Sequence, residues 1–482
     1  MSLSAIGLIV YSIVVVAVCI RILFETHSTT KTLAYLLLCL FVPIVGVAFY
    51  LTFGINYWKK KYYGKKFRQG TDTLKDLKTD VQEYQRTAIA NKNEAVNQFS
   101  ELAHLVDKDL GSPLTTNNRV KLLINGEQKF PELMAELLAA QHHIHLEYYI
   151  FEYDTIGTEI IELLIAKAKQ GVEVRFIYDD FGSPTIKRKT EVRMRAAGVQ
   201  VFPFHKVRFY LLANRINYRN HRKIVVIDGH TAFVGGINVS DRYINSKQNK
   251  LFWRDTHVKI QGPGVYYLQY LFITDWNFCC EHKLKPGMKY FTTTTASEEA
   301  KSHIQIAAGG PDSIFSSIQY SILQAIYLAE KEILITTPYF IPGDSIVDAL
   351  SVAALSGLSV KLLVPGLSDS KLVNAASRSN YSSLLLSGVE IYTYQKGFVH
   401  AKTMVADGLL SIVGTANMDV RSFDLNFEVN ALIYDEKIAT IMRAQFFEDI
   451  KHANKLDVEK WIKRSLLQQL SERLARLFSP VL

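Results

Sequence analysis

Hydrophobic residues form two long uncharged runs at the start of the chain. The first extends from Met1 to Ile20 and the second from Leu33 to Trp58, and the short connector ETHSTTKT lies between them. About 20 apolar residues of helix cross the hydrocarbon core of a bilayer. The pattern predicts an N-terminal transmembrane hairpin over residues 1–58, with spans at about 3–24 and 33–55 and a kink at Pro43. A cleaved signal peptide is disfavoured because the first run has no basic start and a second run follows it.

Basic residues give the hairpin an orientation. Six lysines and arginines lie in KKKYYGKKFR, directly after the second run, whereas the region of the connector has only Arg21 and Lys31. Positive residues stay on the cytoplasmic side of a membrane. We therefore expect residues 59–112, a juxtamembrane basic segment and polar linker, and everything after them to be cytoplasmic. The basic cluster either attracts anionic lipid as well, by about 1 kcal/mol per residue, or only sets the topology.

After residue 112, short apolar runs alternate with amphipathic helical patterns such as IIELLIAKAKQG and VDALSVAALSG, and this order repeats. HIHLEYYIF from His143 is similar to EILITTPYF from Glu332, and GVEVRFIYDD from Gly171 is similar to GLSVKLLVPG from Gly357. Alternating strands and helices predict an α/β fold. We expect two lobes, residues 113–295 and 296–482, each a mixed sheet flanked by helices and related by a pseudo-twofold axis.

A longer motif also occurs twice, once in each half, within residues 216–243 and 395–422. The first copy reads NHRKIVVIDGHTAFVGGIN and the second reads VHAKTMVADGLLSIVGTAN. Asp-Gly between apolar strands is a strong hairpin signal. A two-residue turn would put His221 opposite Gly236 and Lys223 opposite Val234. In the second copy it would put His400 opposite Thr415 and Lys402 opposite Val413.

The residue types of the motif suit a phosphodiester. A histidine and a lysine two positions apart share one face of a strand, and we expect Asn238 and Asn417 to project on that face beside a small residue that leaves room for a ligand. Lysine and asparagine would bind the phosphate oxygens and histidine would do the chemistry. Asp228 and Asp407 lie five residues beyond the lysines with the opposite parity, so we interpret them as turn-forming.

Two supporting carboxylates follow the motifs. Asp255 in FWRDTHV and Glu428 in LNFEVNAL are the nearest acidic residues that could orient the histidines. An exchange through a covalent intermediate needs a nucleophile and an acid. The duplication therefore predicts one active site between the lobes, in which His221 attacks phosphorus and His400 serves as acid and then as base, although the near-symmetry of the copies leaves the reverse assignment open.

The net charge and the composition limit the classes of partner and cofactor that the chain could bind. The net charge of +9 favours anionic partners. The four cysteines form neither a disulfide framework nor a metal-ligand spacing, which fits a reducing compartment. The histidines of HHIHLE are disfavoured as a metal site because no second ligand cluster accompanies them. We expect no metal and no cofactor.

The two motifs resemble those of the phospholipase D superfamily, H-x-K-x4-D-x6-G-[small]-x-N. This resemblance implies six active-site residues, His221, Lys223, Asp228, His400, Lys402 and Asp407. The usual serine after the first glycine is replaced by Gly236 and by Thr415. The wider chain resembles the family of bacterial cardiolipin synthases in PIVGVAFYLTFGINYW, EYYIFEYDTIG, TTPYFIPGDSI and RLARLFSP.

The family resemblance implies a reaction and a location. It implies transfer of a phosphatidyl group between two phosphatidylglycerol molecules through a phosphohistidine, with release of glycerol and without metal. It also implies a multi-pass protein of the bacterial inner membrane whose partners are phosphatidylglycerol and other anionic phospholipids. The alternative is a membrane-anchored phospholipase D that hydrolyses head groups; a nuclease is disfavoured by the anchor and by the lack of a basic, aromatic-rich tract, so no nucleic-acid partner is expected. A non-enzymatic lipid-binding scaffold and the oligomeric state are left open.

The C-terminal tail WIKRSLLQQLSERLARLFSPVL carries an apolar stripe and four basic residues. Such a segment either lies in a bilayer interface or forms a terminal helix packed on the second lobe.

Overall fold

The computed structural model describes residues 3–26, 29–50, 93–204, 218–246, 251–285, 287–291 and 300–478. The chain divides into two compact units. One comprises Met1–Arg68 with Phe209–Ile216, and the other comprises Gln69–Arg208 with Asn217–Leu482.

Three helices make up the described part of the first unit: α1 (Leu3–Glu25), α2 (Thr29–Phe41) and α3 (Pro43–Phe49). Val42 has φ −134° and ψ 65°, which interrupts the helical path, and Pro43 starts α3 at a position where its missing N–H costs nothing. The predicted second span is therefore two helices as far as residue 49, and residues 51–58 lie outside the described residues. In the described part of the chain, no helix combines the length and the apolar character needed to cross a membrane.

Nineteen strands are described in the second unit. The strands of the first repeat are β1 (Thr115–Ile124), β2 (His143–Tyr148), β3 (Glu173–Tyr178), β4 (Gln200–Pro203), β5 (Lys223–Ile227), β6 (Thr231–Gly235), β7 (Phe252–Arg254) and β8 (Thr256–Gln261). Those of the second repeat are β9 (Ser302–Gly309), β10 (Glu332–Thr336), β11 (Phe340–Ile341), β12 (Ser359–Pro365), β13 (Glu390–Tyr394), β14 (Gly397–Val399), β15 (Thr403–Ala406), β16 (Leu410–Gly414), β17 (Met418–Asp419), β18 (Glu428–Tyr434) and β19 (Ala453–Lys455).

Helices connect most of these strands. Before and within the first repeat they are α4 (Glu94–Gln98), α5 (Ser100–Leu110), α6 (Asn125–Ala139), α7 (Thr155–Lys169), α8 (Arg188–Ala196) and α9 (Val265–Cys279), with 3-10 turns at Asp241–Tyr243 and Met288–Tyr290. In the second repeat they are α10 (Ser317–Leu328), α11 (Asp344–Leu355), α12 (Lys371–Arg378), α13 (Tyr381–Leu386), α14 (Val420–Asp424), α15 (Glu436–Ile450), α16 (Val458–Ile462) and α17 (Leu466–Arg476).

The two repeats follow the same strand order and join in one mixed sheet of 15 strands. The first repeat contributes the order β1-β8-β6-β5-β2-β3-β4, and the second contributes β9-β18-β16-β15-β10-β12-β13 with β19 at its edge. Strands β1 and β9 pair and connect the two half-sheets. The predicted α/β fold with a repeated unit is thereby confirmed. The predicted boundary at 295/296 lies outside the described residues.

Both faces of each half-sheet are buried. In β5, Ile224 and Val226 belong to a core shared by the two half-sheets, where they join Val405 and Val413 of the second repeat. The intervening residue Val225 faces a separate core under the helices of the first repeat. Because successive strand residues point to opposite faces, burial on both sides requires continuous apolar runs such as IVVI at residues 224–227.

The hairpin of each motif has a three-residue loop, so the predicted two-residue turn is wrong by one position. The ladder pairs Ile227 with Thr231 and Ile224 with Val234; in the second copy, Thr403 pairs with Val413. Lys223 and Lys402 therefore do not lie opposite the valines, and the predicted partners of the two histidines shift likewise. The aspartates at the turns adopt left-handed φ values of 51° at Asp228 and 56° at Asp407.

Each turn aspartate anchors the start of a neighbouring strand. The Asp228 carboxylate accepts the backbone N–H groups of residues 141, 142 and 143, each at 2.8 Å. Asp407 accepts those of residues 330, 331 and 332 at 2.7–2.8 Å. Burial acts to raise the pKa of Asp228, but the three N–H groups outweigh it and the pKa is lowered. Both aspartates thus lie at the end of the hairpin opposite the histidines.

Replacement of Asp228 by Ala should lower the free energy of unfolding by about 1–3 kcal/mol, because three backbone N–H groups at the start of β2 lose their acceptor. Asp228→Asn keeps one acceptor oxygen and should lose less. Since folding lowers the pKa of Asp228, its stabilisation exists at neutral pH and disappears as the pH falls below about 4. Thermal unfolding of the three chains across this pH range measures the effect; equal stability of wild type and Asp228→Ala at pH 7 would contradict the anchoring role.

Candidate active site

Both motif histidines lie where the parallel strands end. Tyr148, the last residue of β2, pairs with Lys223 at the start of β5. Thr336, the last residue of β10, pairs with Thr403 at the start of β15. The carboxyl ends of parallel strands form the edge at which α/β sheets bind ligands.

The segments that carry the histidines pair with the opposite repeat. The His221 N–H donates to the Phe427 carbonyl at 3.0 Å, next to a parallel bridge between Asn220 and Phe427. Reciprocally, the His400 N–H donates to the Arg254 carbonyl at 2.7 Å, where β14 runs parallel to β7. Each histidine is therefore held beside the residue that precedes the other repeat's carboxylate.

Each imidazole is bound by the carboxylate of the other repeat. His221 Nδ1 lies 2.9 and 3.0 Å from the two carboxylate oxygens of Glu428. His400 Nδ1 lies 2.6 Å from Asp255 Oδ2. Both carboxylates are fully buried. A carboxylate on Nδ1 fixes the ring and leaves Nε2 for the substrate. The sequence singles out Asp255 and Glu428, but only the structure reveals this exchange between repeats.

The small residue of each motif serves the carboxylate rather than a ligand. Thr415 Oγ1 donates to Glu428 Oε2 at 2.6 Å. At Gly236, a Cβ atom would lie 2.1 Å from Asp255 Oδ1. The predicted free space beside the histidines is thus filled by carboxylates. Asp255, which has the shorter side chain, lies against Gly236, and Glu428 lies against Thr415.

The two lysines are buried beside the histidines. Lys223 Nζ donates to the His221 carbonyl at 2.7 Å, and Lys402 Nζ donates to the His400 carbonyl at 2.5 Å. Burial lowers the pKa of Lys223 to about 7, although Glu428 acts to raise it. Burial likewise lowers the pKa of Lys402 to about 8 against the charges of Asp255 and Glu428. Because these two pKa values lie near neutral pH, a bound anion can change the protonation of both lysines.

Burial also keeps both imidazoles neutral. It lowers the pKa of His221 and brings that of His400 to about 3, in each case against the opposing effect of the carboxylate partner. The charge of Lys402 lowers the pKa of His221, and that of Lys223 lowers the pKa of His400. A neutral imidazole has a free electron pair for attack on phosphorus.

The two motif asparagines differ in their contacts. Asn238 Oδ1 accepts the N–H of Ile150 at 3.2 Å, and its Nδ2 donates to the Tyr243 hydroxyl at 2.8 Å. Asn417 Nδ2 donates to Asp419 at 3.1 Å, while its buried Oδ1 has no hydrogen-bond partner among the described residues. We predicted the same substrate-binding role for both asparagines, but their hydrogen bonds in the structure differ.

A buried polar cluster under His221 is not evident from the sequence. Arg222 Nη1 lies 2.5 Å from Asp275 Oδ2, and its Nε donates to the Glu428 carbonyl at 3.3 Å. Asn220 donates to Glu147, whose pKa is raised by burial and by the neighbouring charge of Asp275. At the positions of Asn220 and Arg222, the second motif has valine and alanine. That difference between the motif copies is the one sequence signal for the cluster.

Of the three histidines of HHIHLE, His143 and His145 are buried in the core and His142 is exposed. His145 stacks on Phe272 with ring centroids 4.4 Å apart and lies 2.8 Å from Gln269 Nε2. Burial lowers the pKa of His143 to about 4. Across the described ranges, no group of three or more His, Cys, Asp or Glu side chains is placed to hold a metal ion.

Comparisons with known proteins show the family to which the chain belongs. Residues 133–262 and 322–450 match the family described as "Cardiolipin synthase, PLD-like domain", and residues 10–54 match "Phospholipase_D-nuclease N-terminal". The chain is 42% identical to a cardiolipin synthase of Geobacillus kaustophilus over 97% of its own length and 92% of that protein. It is 37% identical to cardiolipin synthase 1 of Bacillus anthracis, over 98% and 93%. The crystal structure of phosphatidylserine synthase from Haemophilus influenzae has the same fold, with a TM-score of 0.61 at 13% identity, over 81% of this chain and 100% of that one.

The positions of the two carboxylates predict that Gly236 and Thr415 differ in the substitutions they tolerate. Gly236→Ala should displace Asp255 from His400 and reduce turnover by about 10²-fold or more. Thr415→Ser keeps the hydroxyl on Glu428 and should stay near wild type, whereas Thr415→Ala should lose activity. Turnover of the purified chains measures this; a fully active Gly236→Ala chain would contradict the account.

Proposed function

The chain belongs to the cardiolipin synthase family of phospholipase D-like proteins, and we propose that it converts two phosphatidylglycerol molecules into cardiolipin and glycerol. The observation that carries this proposal is the reciprocal pairing of His221 with Glu428 and of His400 with Asp255. It supplies a nucleophile and an acid–base group in one site, together with two lysines for the phosphate charge. Replacing one alcohol by another on a phosphodiester needs this combination.

In the first step, Nε2 of neutral His221 attacks the phosphorus of the first phosphatidylglycerol. The bond from phosphorus to the head-group glycerol oxygen breaks, and that oxygen takes a proton from the His400 imidazolium. Burial lowers the pKa of His400, so His400 takes up this proton when the anionic substrate binds beside it and raises that pKa. Lys223 and Lys402 balance the charge that develops on the phosphoryl oxygens.

In the second step, neutral His400 takes a proton from a head-group hydroxyl of the second phosphatidylglycerol. The resulting oxygen attacks phosphorus, the phosphorus–nitrogen bond breaks, and His221 is regenerated with cardiolipin as the product. In the hydrolytic alternative, water takes the place of this second lipid. The roles of Asn238 and Asn417 as phosphate ligands belong to the same proposal, whereas Asp228 and Asp407 act through the hairpin.

The surroundings of the two histidines favour His221 as the nucleophile. Its chain neighbours Asn220 and Arg222 are both fixed by buried polar contacts with Glu147 and Asp275. His400 is flanked by Val399 and Ala401, which offer no such side-chain contacts. A nucleophile held in its attack position needs less reordering during the reaction.

Membrane association belongs to the same proposal. We assign it to residues 1–58, because they contain two uncharged runs and residues 10–54 match the family described as "Phospholipase_D-nuclease N-terminal". Large apolar side chains on α1, such as Ile13 and Phe24, are exposed at 62% and 83%. With the basic cluster of residues 59–68 on the cytoplasmic side, the catalytic unit would face the inner leaflet of a multi-pass bacterial protein.

The reaction products test the proposal. The purified full chain, given phosphatidylglycerol, should release one glycerol for each cardiolipin formed, and His221→Ala or His400→Ala should reduce the rate by about 10³-fold or more. Phosphatidic acid with glycerol, and no cardiolipin, would identify a hydrolase instead. Full transfer by both histidine variants would contradict the enzymatic proposal and favour a lipid-binding scaffold.

A further inference from the structure

The C-terminal helix α17 packs on the protein through its polar and small residues. Glu472 and Ala475 are its buried side chains. Glu472 Oε1 accepts from Arg378 Nε at 2.8 Å and from Arg464 Nη1 at 2.7 Å. Ala475 lies in a small apolar cluster with Ile341 and Ala376. The helix is therefore fixed to α12 and β11 by its hydrophilic side.

The opposite side of α17 turns its apolar stripe outward. Leu466, Leu470 and Leu474 are exposed at 82%, 53% and 52%. The same stripe includes Leu467, Leu477 and Phe478, exposed at 80%, 73% and 53%. A surface helix normally buries its apolar face, and a contiguous exposed apolar patch marks an interaction site. The expected terminal helix packed on the second lobe is therefore present, but it packs through Glu472 and Ala475 and leaves the leucines of its stripe exposed.

Helix α17 contacts an element that follows the active-site edge of the sheet. Helix α12, which α17 contacts, follows the loop after β12, and that loop begins at the carboxyl end of the strand. Leu367 in this loop and Leu372 in the first turn of α12 are exposed at 55% and 44%. Asp369 in the loop accepts the Tyr339 hydroxyl at 2.6 Å and is near enough to influence Lys402. At the equivalent loop of the first repeat, Phe181 is exposed at 47%.

We propose that α17 and the loop before α12 form an interfacial surface that seats the mouth of the active site on an anionic phospholipid bilayer. The proposal rests on the proposed function, because a phospholipid substrate must pass between bilayer and site. Exposed basic residues, among them Lys463 and Arg473, accompany the stripe, and the chain carries a net charge of +9. Leucines that enter the interface beside cations that meet lipid phosphates are the pattern of an interfacial helix. A second copy of the chain carries the same positive charge, so the basic residues beside the stripe favour an anionic bilayer over a second copy as its partner.

Tryptophan quenching tests the contact directly. Full-length Leu470→Trp and Leu355→Trp chains are reconstituted in vesicles of phosphatidylglycerol and phosphatidylcholine whose acyl chains are brominated. Leu355 is exposed at 73%, but it lies at the end of α11 that leads into the start of β12, at the sheet edge opposite the site. Compared with wild type, the tryptophan at 470 should be quenched and the one at 355 should not. Equal quenching of both, or none at 470, would overturn the proposal, and dimers with an unquenched 470 would assign the stripe to a second copy.

Activity gives an independent readout. Replacing Leu466, Leu470 and Leu474 by Gln should slow cardiolipin formation on vesicles by about fivefold or more, because apolar contacts with the interface are lost. Turnover of dissolved short-chain phosphatidylglycerol should stay unchanged, as should both activities of a Val352→Gln/Leu355→Gln control. Equal rates of the triple variant and wild type on vesicles would contradict the proposal, and a triple variant that fails to fold leaves the quenching result to decide.

The two proposals can fail separately. Quenching at position 470 without formation of cardiolipin would contradict only the proposed function. Formation of cardiolipin without quenching at 470 would contradict only the interfacial surface.

Discussion

The exchange of carboxylates between the two repeats is the interaction on which the proposed active site depends. Glu428 orients His221 and Asp255 orients His400, so neither repeat contains a complete set of oriented groups. The backbone enforces the exchange, because each histidine N–H bonds to the residue directly before the other repeat's carboxylate. Burying two carboxylates is costly unless each is paired and hydrogen-bonded. The imidazoles, the Thr415 hydroxyl and backbone N–H groups meet that requirement.

Burial gives this site its chemical character. It holds the imidazoles neutral and brings the pKa values of the two lysines to about 7 and about 8. A site in this state does not hold a surplus of fixed positive charge before the substrate arrives. In the proposed mechanism, binding of an anionic phosphodiester raises the affinity of these groups for protons, so the substrate itself would promote protonation of the acid that its leaving group needs. The proposed reaction would thereby depend on occupancy of the site.

Local sequence patterns predict much of this fold. The features that they do not predict depend on contacts between residues far apart in the sequence. The repeated strands, the hairpins and the two histidine motifs are visible in the sequence because apolar periodicity and Asp-Gly turns are local signals. The hairpin register is not, since the aspartates anchor strand starts more than 70 residues away in the sequence and take part in a three-residue loop. The pairing of Glu428 with His221 spans 207 residues. The sequence around Arg222 does not indicate that this residue is buried against Asp275. The sequence of α17 shows an apolar stripe, but only the contacts of Glu472 show that the stripe faces outward.

A substrate with an activated leaving group tests most directly whether the two histidines share one site with different roles. A phosphatidyl ester of p-nitrophenol needs no proton from an acid, so the full-length His400→Ala chain should regain formation of a phosphatidyl adduct, mapped by mass spectrometry to His221. The His221→Ala chain should form none. Adducts on the remaining histidine in both variants would mean that each repeat works alone, and would contradict the account.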